Sequence, residues 1–144
     1  MVSHKTRTKQ RILVVGTVDS VHTACAILGD GFDYRRAFSA QQALAVLDSP
    51  VDLILCSMRF DDGSTVEFLR ALEEAPRGCR VPVVCFHAHG WEASRGAYAR
   101  LRAVLQNFDD AQVVDLYARA RDGGVPAAVA ELREAVCSRL QEEV

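Results

Sequence analysis

Residues capable of chemistry follow a short apolar run near the middle of the chain. Residues 53–56, Leu-Ile-Leu-Cys, have the continuous apolar character of a parallel strand that is covered on both faces. The residues after this run carry a hydroxyl, a guanidinium and two carboxylates, at Ser57, Arg59, Asp61 and Asp62. In open parallel sheets, ligands and reacting groups collect outside the carboxyl ends of the strands. Residues 57–63 are therefore the first candidate site.

Asp61 and Asp62 are open to two interpretations. Two adjacent carboxylates offer the oxygen ligands that hard divalent cations prefer. The same acids precede Gly63 and Ser64, and Ser64 with Glu67 three residues later forms a capping box in front of an apolar helical spacing. Acids in such a turn stabilise the N-terminus of the following helix. We favour the second interpretation, because the residue order is that of a turn and a capped helix.

A second candidate site lies at the end of another apolar run, residues 81–86. Cys85, His87 and His89 alternate along the chain, so in an extended strand they share one side and offer the ligand types that zinc prefers. Against a zinc site, Cys85 falls in the buried part of the strand, Gly90 indicates that the chain has turned, and no fourth ligand is evident. We therefore predict no metal, and retain His87 as a contact whose charge depends on pH.

Ser57 and His87 also invite assignment as a nucleophile and its base, because they end strands that are expected to be neighbours. No nucleophile elbow surrounds Ser57, and the sequence identifies no acid that would orient His87. We therefore expect neither an enzyme nor a bound cofactor.

The elements that position these residues alternate regularly. Five stretches are expected to be strands: residues 11–16, 34–38, 53–56, 81–86 and 112–117. Each is followed by apolar residues at helical spacing, such as Val21, Ala24, Cys25 and Leu28 after the first strand. Strands that alternate with helices through short connections require right-handed crossovers and a parallel sheet covered on both sides. The predicted fold class is α/β, a three-layer doubly wound sandwich around a five-stranded parallel sheet.

Length and composition indicate one ordinary globular domain. The chain has 144 residues, enough to bury a core without disulfides, and its five cysteines are an odd number without close paired spacing. We expect these cysteines to be small buried hydrophobes. No apolar run is long enough to span a membrane, and the first ten residues lack the apolar core of a signal peptide. We expect a cytoplasmic protein without a membrane partner.

Positive charge is concentrated at the N-terminus, where Lys5, Arg7, Lys9 and Arg11 provide four of the 17 basic residues. The remainder holds 13 basic and 19 acidic residues, so its net charge is near −6. A net acidic body argues against nucleic-acid binding, which requires a basic face, although the tail alone has the charge to touch a phosphate backbone. We expect residues 1–10 to form a flexible basic tail and residues 11–144 to form the folded domain.

Four sequence blocks together resemble the receiver domain of two-component response regulators. They are Ile-Leu-Val-Val at residues 12–15, Ser-Ala-Gln-Gln-Ala-Leu at residues 39–44, Val-Asp-Leu-Ile-Leu at residues 51–55 and Val-Pro-Val-Val at residues 81–84. The resemblance extends from Arg11 to about Leu140. It implies a flavodoxin-like sheet with the strand order 2-1-3-4-5, and it says nothing by itself about chemistry.

The residues that perform receiver chemistry are replaced. In the family, a pair of acids after the first strand and an aspartate at the end of the third hold magnesium and accept a phosphoryl group. By resemblance the acid pair falls on Gly16 and Thr17, the acceptor on Ser57, and the hydroxyl residue of the fourth strand on His87. A serine brings no charge to a metal and would form a stable ester. The resemblance therefore implies a degenerate phosphorylation pocket.

Two further departures affect the same pocket. The family's lysine after the fifth strand is absent, because the only lysines are Lys5 and Lys9 in the tail. Arg59 has two interpretations: its guanidinium reaches the place of the metal, or it points to solvent, which we favour. The loop that contains Arg59 is about two residues shorter than in the family and would shape a different pocket.

We predict a receiver-like domain that does not transfer phosphate and binds a protein partner or a second copy of itself in bacterial signalling. In receivers, the face formed by the fourth helix, fifth strand and fifth helix commonly mediates dimerisation or output. This half of the chain mixes arginines and aromatics, which are enriched in interface anchors. The candidates are Trp91, Tyr98, Arg100, Arg102, Tyr117 and Arg119. The alternatives are a small-ligand or metal sensor that uses the altered pocket, or a portion of a longer regulator.

Overall fold

The chain is described here by a computed structural model that covers residues 9–58, 65–75, 80–87 and 95–141, with side chains in the last range from Ala99 to Leu140. Arg59, Asp61, Asp62, Ser64, His89 and Trp91, all singled out from the sequence, lie outside the described residues, as does the side chain of Tyr98.

Five strands form one sheet in which every pairing is parallel. They are β1 (Arg11–Val15), β2 (Asp33–Ala37), β3 (Leu53–Ser57), β4 (Val83–His87) and β5 (Ala111–Asp115). Their order across the sheet is β2-β1-β3-β4-β5. The predicted fold class and strand order are confirmed.

Six helices accompany the strands in the described ranges. They are α1 (Val18–Leu28), α2 (Ala40–Val46), α3 (Thr65–Glu74), α4 (Arg95–Leu105), α5 (Leu116–Gly123) and α6 (Val125–Gln141). Within these ranges none is both long and apolar enough to cross a membrane.

The sheet is covered on both faces, which explains why its central strands are apolar throughout. Side chains alternate between the faces along each strand. One face packs against α1 and α6, through residues that include Val21, Ala24, Leu132 and Val136. The other packs against α2, α3 and α4, through Ala43, Phe68, Leu69 and Leu101. All five residues of β3 and of β4 are buried.

The fifth strand differs from the prediction at its carboxyl end. Residues 112–117 were expected to be extended, but β5 ends at Asp115 and α5 begins at Leu116. The reason is local: the Asp115 side chain accepts a hydrogen bond of 2.9 Å from the backbone N–H of Ala118, so it caps a helix. Gly124, with a positive φ of 91°, ends that helix, and α6 follows at once.

Candidate functional site

The carboxyl edge of the sheet brings together the described residues of the pocket that the resemblance predicts to be degenerate. Gly16 and Thr17 follow β1, Ser57 ends β3 and His87 ends β4. The register pairs Ser57 with Phe86, so His87 lies one residue farther along the neighbouring strand. These four predicted residues therefore share one edge of the sheet.

Gly16 and Thr17 are engaged in building the turn from β1 into α1. The N–H of Gly16 donates to the carbonyl of Ala37 at 3.2 Å and extends the pairing with β2. Thr17 caps α1: its hydroxyl oxygen accepts from the N–H of Ser20 at 3.2 Å and lies 2.9 Å from the Ser20 hydroxyl. This corner is neutral and structural, and neither residue offers a carboxylate to a metal.

Ser57 is buried, with 2% of its surface exposed. Its carbonyl accepts a hydrogen bond of 3.0 Å from the hydroxyl of Thr65, the first residue of α3. The N–H of Met58 donates to the carbonyl of Phe86 at 2.9 Å and holds the end of β3 against β4. The peptide group that follows the candidate acceptor position is thus held by α3 on one side and β4 on the other.

His87 lies beside a carboxylate that the sequence analysis did not assign. His87 and Asp115 are paired in the register of β4 and β5, and the His87 Nδ1 atom is 3.7 Å from the Asp115 Oδ1 atom. His87 is 5% exposed. The sequence identified no acid that would orient His87, whereas the structure places Asp115 beside it, a residue that the sequence assigned to the fifth strand without a role at the site. The usable signal was an Asp in front of the helix-forming run that starts at Leu116.

Tyr117 covers this pair from α5. The rings of His87 and Tyr117 have their centroids 6.2 Å apart, and the guanidinium of Arg121 lies 5.7 Å from the centroid of the Tyr117 ring. Tyr117 is 44% exposed. A residue predicted only as an interface candidate therefore also contacts the pocket, because β5 ends two residues before its predicted end and Tyr117 lies on α5 instead.

Cys85, which the sequence analysis considered and rejected as a zinc ligand, belongs to the core. Cys85 is fully buried and pairs in register with Cys56 on β3, so both thiols lie among apolar side chains. Burial raises the pKa of the Cys56 thiol well above its usual value, with a smaller contribution from Cys85. Within the described ranges, no group of three metal-ligating side chains comes together. A thiol whose pKa is raised by burial, as at Cys56, is a poor ligand for a metal.

The described interface candidates lie on the two helices that flank β5 in sequence, α4 and α5. Arg100 and Arg102 are exposed on α4, and Arg119 is exposed on α5, where it lies 3.5 Å from the Glu131 carboxylate. A groove of about 520 Å³ separates the end of α4 from β5, and Arg102 and Gln112 are among its lining residues.

Comparison with known proteins identifies the architecture. No family model and no curated protein sequence matches the chain. Among solved structures, the chemotaxis response regulator CheY4 of Vibrio cholerae superposes with a TM-score of 0.64 at 16% identity, over 89% of this chain and 99% of that one. The chain has the fold of a response-regulator receiver domain.

Two further structures share this receiver fold. A response regulator receiver protein of Pseudomonas putida gives a TM-score of 0.68 at 14% identity, over 91% of this chain and 98% of its own. A CheY-like receiver domain of Methanospirillum hungatei gives 0.64 at 18% identity, over 94% and 97%. The receiver fold is thus matched along nearly the whole length of the chain.

Proposed function

We propose that this protein is a receiver-like domain of bacterial signalling that accepts no phosphoryl group and acts by binding a protein partner or a second copy of itself. The observation that supports this most is the placement of charge at the carboxyl edge of the sheet. β3 ends in the neutral Ser57 and β5 ends in the anionic Asp115. Receiver chemistry needs an acid at the end of the third strand and a lysine after the fifth strand.

Asp115 opposes phosphoryl transfer for an electrostatic reason. A carboxylate near an incoming phosphoryl group raises the energy of the transition state, whereas a cation lowers it. Asp115 is also committed to the N–H of Ala118, so moving it away would uncap α5. With Gly16 and Thr17 as uncharged turn residues, the described edge contains no acid pair of the kind that holds magnesium in the family.

The first test is incubation of the full chain with a small phosphodonor and magnesium, followed by intact-mass measurement. We expect no added phosphoryl group, while a phosphorylatable receiver domain treated in parallel gains one. Robust magnesium-dependent incorporation into the wild-type chain would refute this part of the proposal.

The binding part of the proposal rests on α4, β5 and α5. Exposed guanidinium groups at Arg100 and Arg102 lie on α4, and the exposed ring of Tyr117 lies on α5. Arginine and aromatic side chains combine apolar contact area with directional hydrogen bonds, so they are effective interface anchors. The groove beside Arg102 makes this face concave, so a protruding side chain of a partner can pack into it.

Charge reversal tests this face. We expect the double variant Arg100→Glu, Arg102→Glu to lose self-association in light scattering, or partner capture in pull-downs, while the melting temperature stays nearly constant because both side chains are exposed. The matched control is Val18→Glu on α1, at a position that is 47% exposed. If Val18→Glu disrupts association and the arginine variant does not, the interface lies on α1 and the assignment is wrong.

A further inference from the structure

The strand β2 has a hydrogen-bonding edge that faces away from the rest of the sheet. It lies at the end of the strand order and pairs with β1. Asp33 donates its N–H to the β1 side at 2.9 Å, and Ala37 accepts there at 3.2 Å. Residues of a parallel strand alternate between its two edges. The backbone N–H and C=O groups of Tyr34 and Arg36 therefore point outward.

The side chains of the same two residues line a groove. The guanidinium of Arg36 lies 5.5 Å from the centroid of the Tyr34 ring, and the Phe32 and Tyr34 ring centroids are 6.2 Å apart. The groove has a volume of about 620 Å³, and Lys9 and Asp33 complete its lining. The outward backbone groups of β2, two aromatic rings and the guanidinium of Arg36 are therefore all found at this groove.

Positive charge is in surplus here. Asp33 is already engaged by Arg11 at 3.2 Å and by Arg35 at 3.7 Å. The Lys9 ammonium donates to a backbone carbonyl, that of Asp30, at 3.0 Å. Within the described part of the chain, neither Lys9 nor Arg36 forms an ion pair with a carboxylate. The groove can therefore attract anionic groups, although the chain as a whole is acidic.

We infer that the edge of β2 binds an extended acidic peptide segment of a partner protein as an added strand. The backbone groups of Tyr34 and Arg36 hydrogen-bond the peptide, and its alternate side chains fall on the face that carries Lys9 and Arg36. Strand addition of this kind takes affinity from main-chain hydrogen bonds and specificity from alternate side chains. The inference goes beyond the function proposed above, because β2 and β5 are opposite edges of the sheet.

Charge complementarity selects this occupant over three others. A second copy paired through β2 would bring the same cations face to face. The N-terminal residues 1–8 carry Lys5 and Arg7 and have the same sign as the groove. Nucleic acid extends beyond the groove and would meet a body with net negative charge, whereas a short acidic strand contacts the groove alone. Arginines on an edge strand also discourage self-pairing, and the same charges attract an acidic strand.

The probe for the first experiment is a fluorescent peptide of alternating Glu and Val, titrated with the full chain and followed by anisotropy. We expect saturable binding, and none for the matched peptide of alternating Lys and Val. Arg36→Glu should weaken binding by roughly tenfold, since it replaces an attraction by a repulsion. The control Arg70→Glu, at an exposed position on α3, should bind as the wild type does.

A second pair of variants separates backbone pairing from charge. Arg36→Gln and Arg36→Pro both remove the guanidinium, but only proline removes the outward N–H, and proline is tolerated where the N–H of an edge strand faces solvent. We expect Arg36→Pro to bind the peptide more weakly than Arg36→Gln. We also expect the amides of Tyr34 and Arg36 in the wild-type chain to exchange hydrogen more slowly when the peptide is bound, a readout that requires no variant to fold.

Several results would overturn the inference. Equal affinity of Arg36→Gln and Arg36→Pro, with unchanged amide exchange, would mean that charge alone binds the peptide. Displacement of the peptide by an oligothymidylate would identify a nucleic-acid surface, and concentration-dependent self-association lost in Arg36→Glu would identify a second copy. Peptide binding that is lost in Arg100→Glu, Arg102→Glu would place the peptide on the α4 and β5 face instead. If that variant binds the peptide normally, peptide binding at β2 is independent of the interface proposed on α4, β5 and α5.

Discussion

His87 and Asp115 lie side by side at the carboxyl edge of the sheet, with the Nδ1 atom of the imidazole 3.7 Å from the Oδ1 atom of the carboxylate. The same Oδ1 atom accepts the hydrogen bond that starts α5. One carboxylate therefore serves both the pocket and the helix that covers it. A substitution of Asp115 should therefore change both the stability of the domain and the charge of the pocket.

The cap at Asp115 gives the first prediction. Asp115→Ala removes the acceptor for the Ala118 N–H and should lower the free energy of unfolding by about 1 kcal/mol. Asp115→Asn keeps an acceptor oxygen at the cap and should cost much less. Urea unfolding of the two variants measures the difference. Equal losses would show that the charge beside His87, and not the cap, is the stabilising feature of Asp115.

Ser57→Asp should destabilise the domain. The side chain at this position is 2% exposed, and a carboxylate placed there meets neither a magnesium site nor a lysine. We expect the free energy of unfolding to fall by about 2 kcal/mol or more. Ser57→Asn has nearly the same shape without the charge and serves as the control. A melting midpoint that is unchanged or higher in Ser57→Asp would indicate that Arg59 or a bound cation already supplies compensating charge.

Restoring the acceptor should not restore phosphorylation. Ser57→Asp, alone or combined with Asp115→Lys, should remain unlabelled by a small phosphodonor with magnesium. The acids that help to hold the metal in the family are still missing at Gly16 and Thr17, and one carboxylate seldom holds magnesium against water. Gly16 has a φ of 155°, outside the usual range of L residues, so an acid cannot be placed there without strain. Intact mass spectrometry reads the outcome, and labelling of either variant would show that a single acid suffices.

Tyr34 should make stability depend on pH in the alkaline range. Burial raises the pKa of its phenol from the usual value of 10.0 to about 12, with smaller contributions from Cys25 and Asp30. Between these values the unfolded chain releases the proton and the folded chain keeps it. The contribution of the Tyr34 phenol to the free energy of unfolding is therefore complete below pH 10 and is lost as the pH rises toward 12.

Urea unfolding over that pH range tests this prediction with Tyr34→Phe. The variant lacks the hydrogen bond from the phenol to the Gly29 carbonyl, so it should be less stable than the wild type by a constant amount below pH 10. Above pH 10 the gap should narrow, because only the wild type loses the contribution of the phenol. Parallel curves throughout would mean that Tyr34 ionises equally in the folded and unfolded chains.

The sequence by itself determined which stretches are buried strands and which residues line the faces of the helices. Continuous apolar runs such as residues 53–56 and helical spacings such as Val21, Ala24 and Leu28 are local patterns, and the structure buries them as predicted. The strand order followed from the resemblance to receiver domains. The loss of every lysine outside the tail was also visible from the sequence alone.

The tertiary structure decided the position of Asp115, the extra helix α5 and the outward direction of one edge of β2. In sequence, Asp115 is separated from His87 by 28 positions, and only the register of β4 and β5 makes them neighbours. Residues 112–117 were predicted to be one strand, because the local sequence does not show whether Asp115 continues the strand or caps a helix. Likewise, the outward direction of the Tyr34 and Arg36 backbone follows from their pairing with β1. Local patterns decide burial, whereas the contacts between strands decide which polar groups meet.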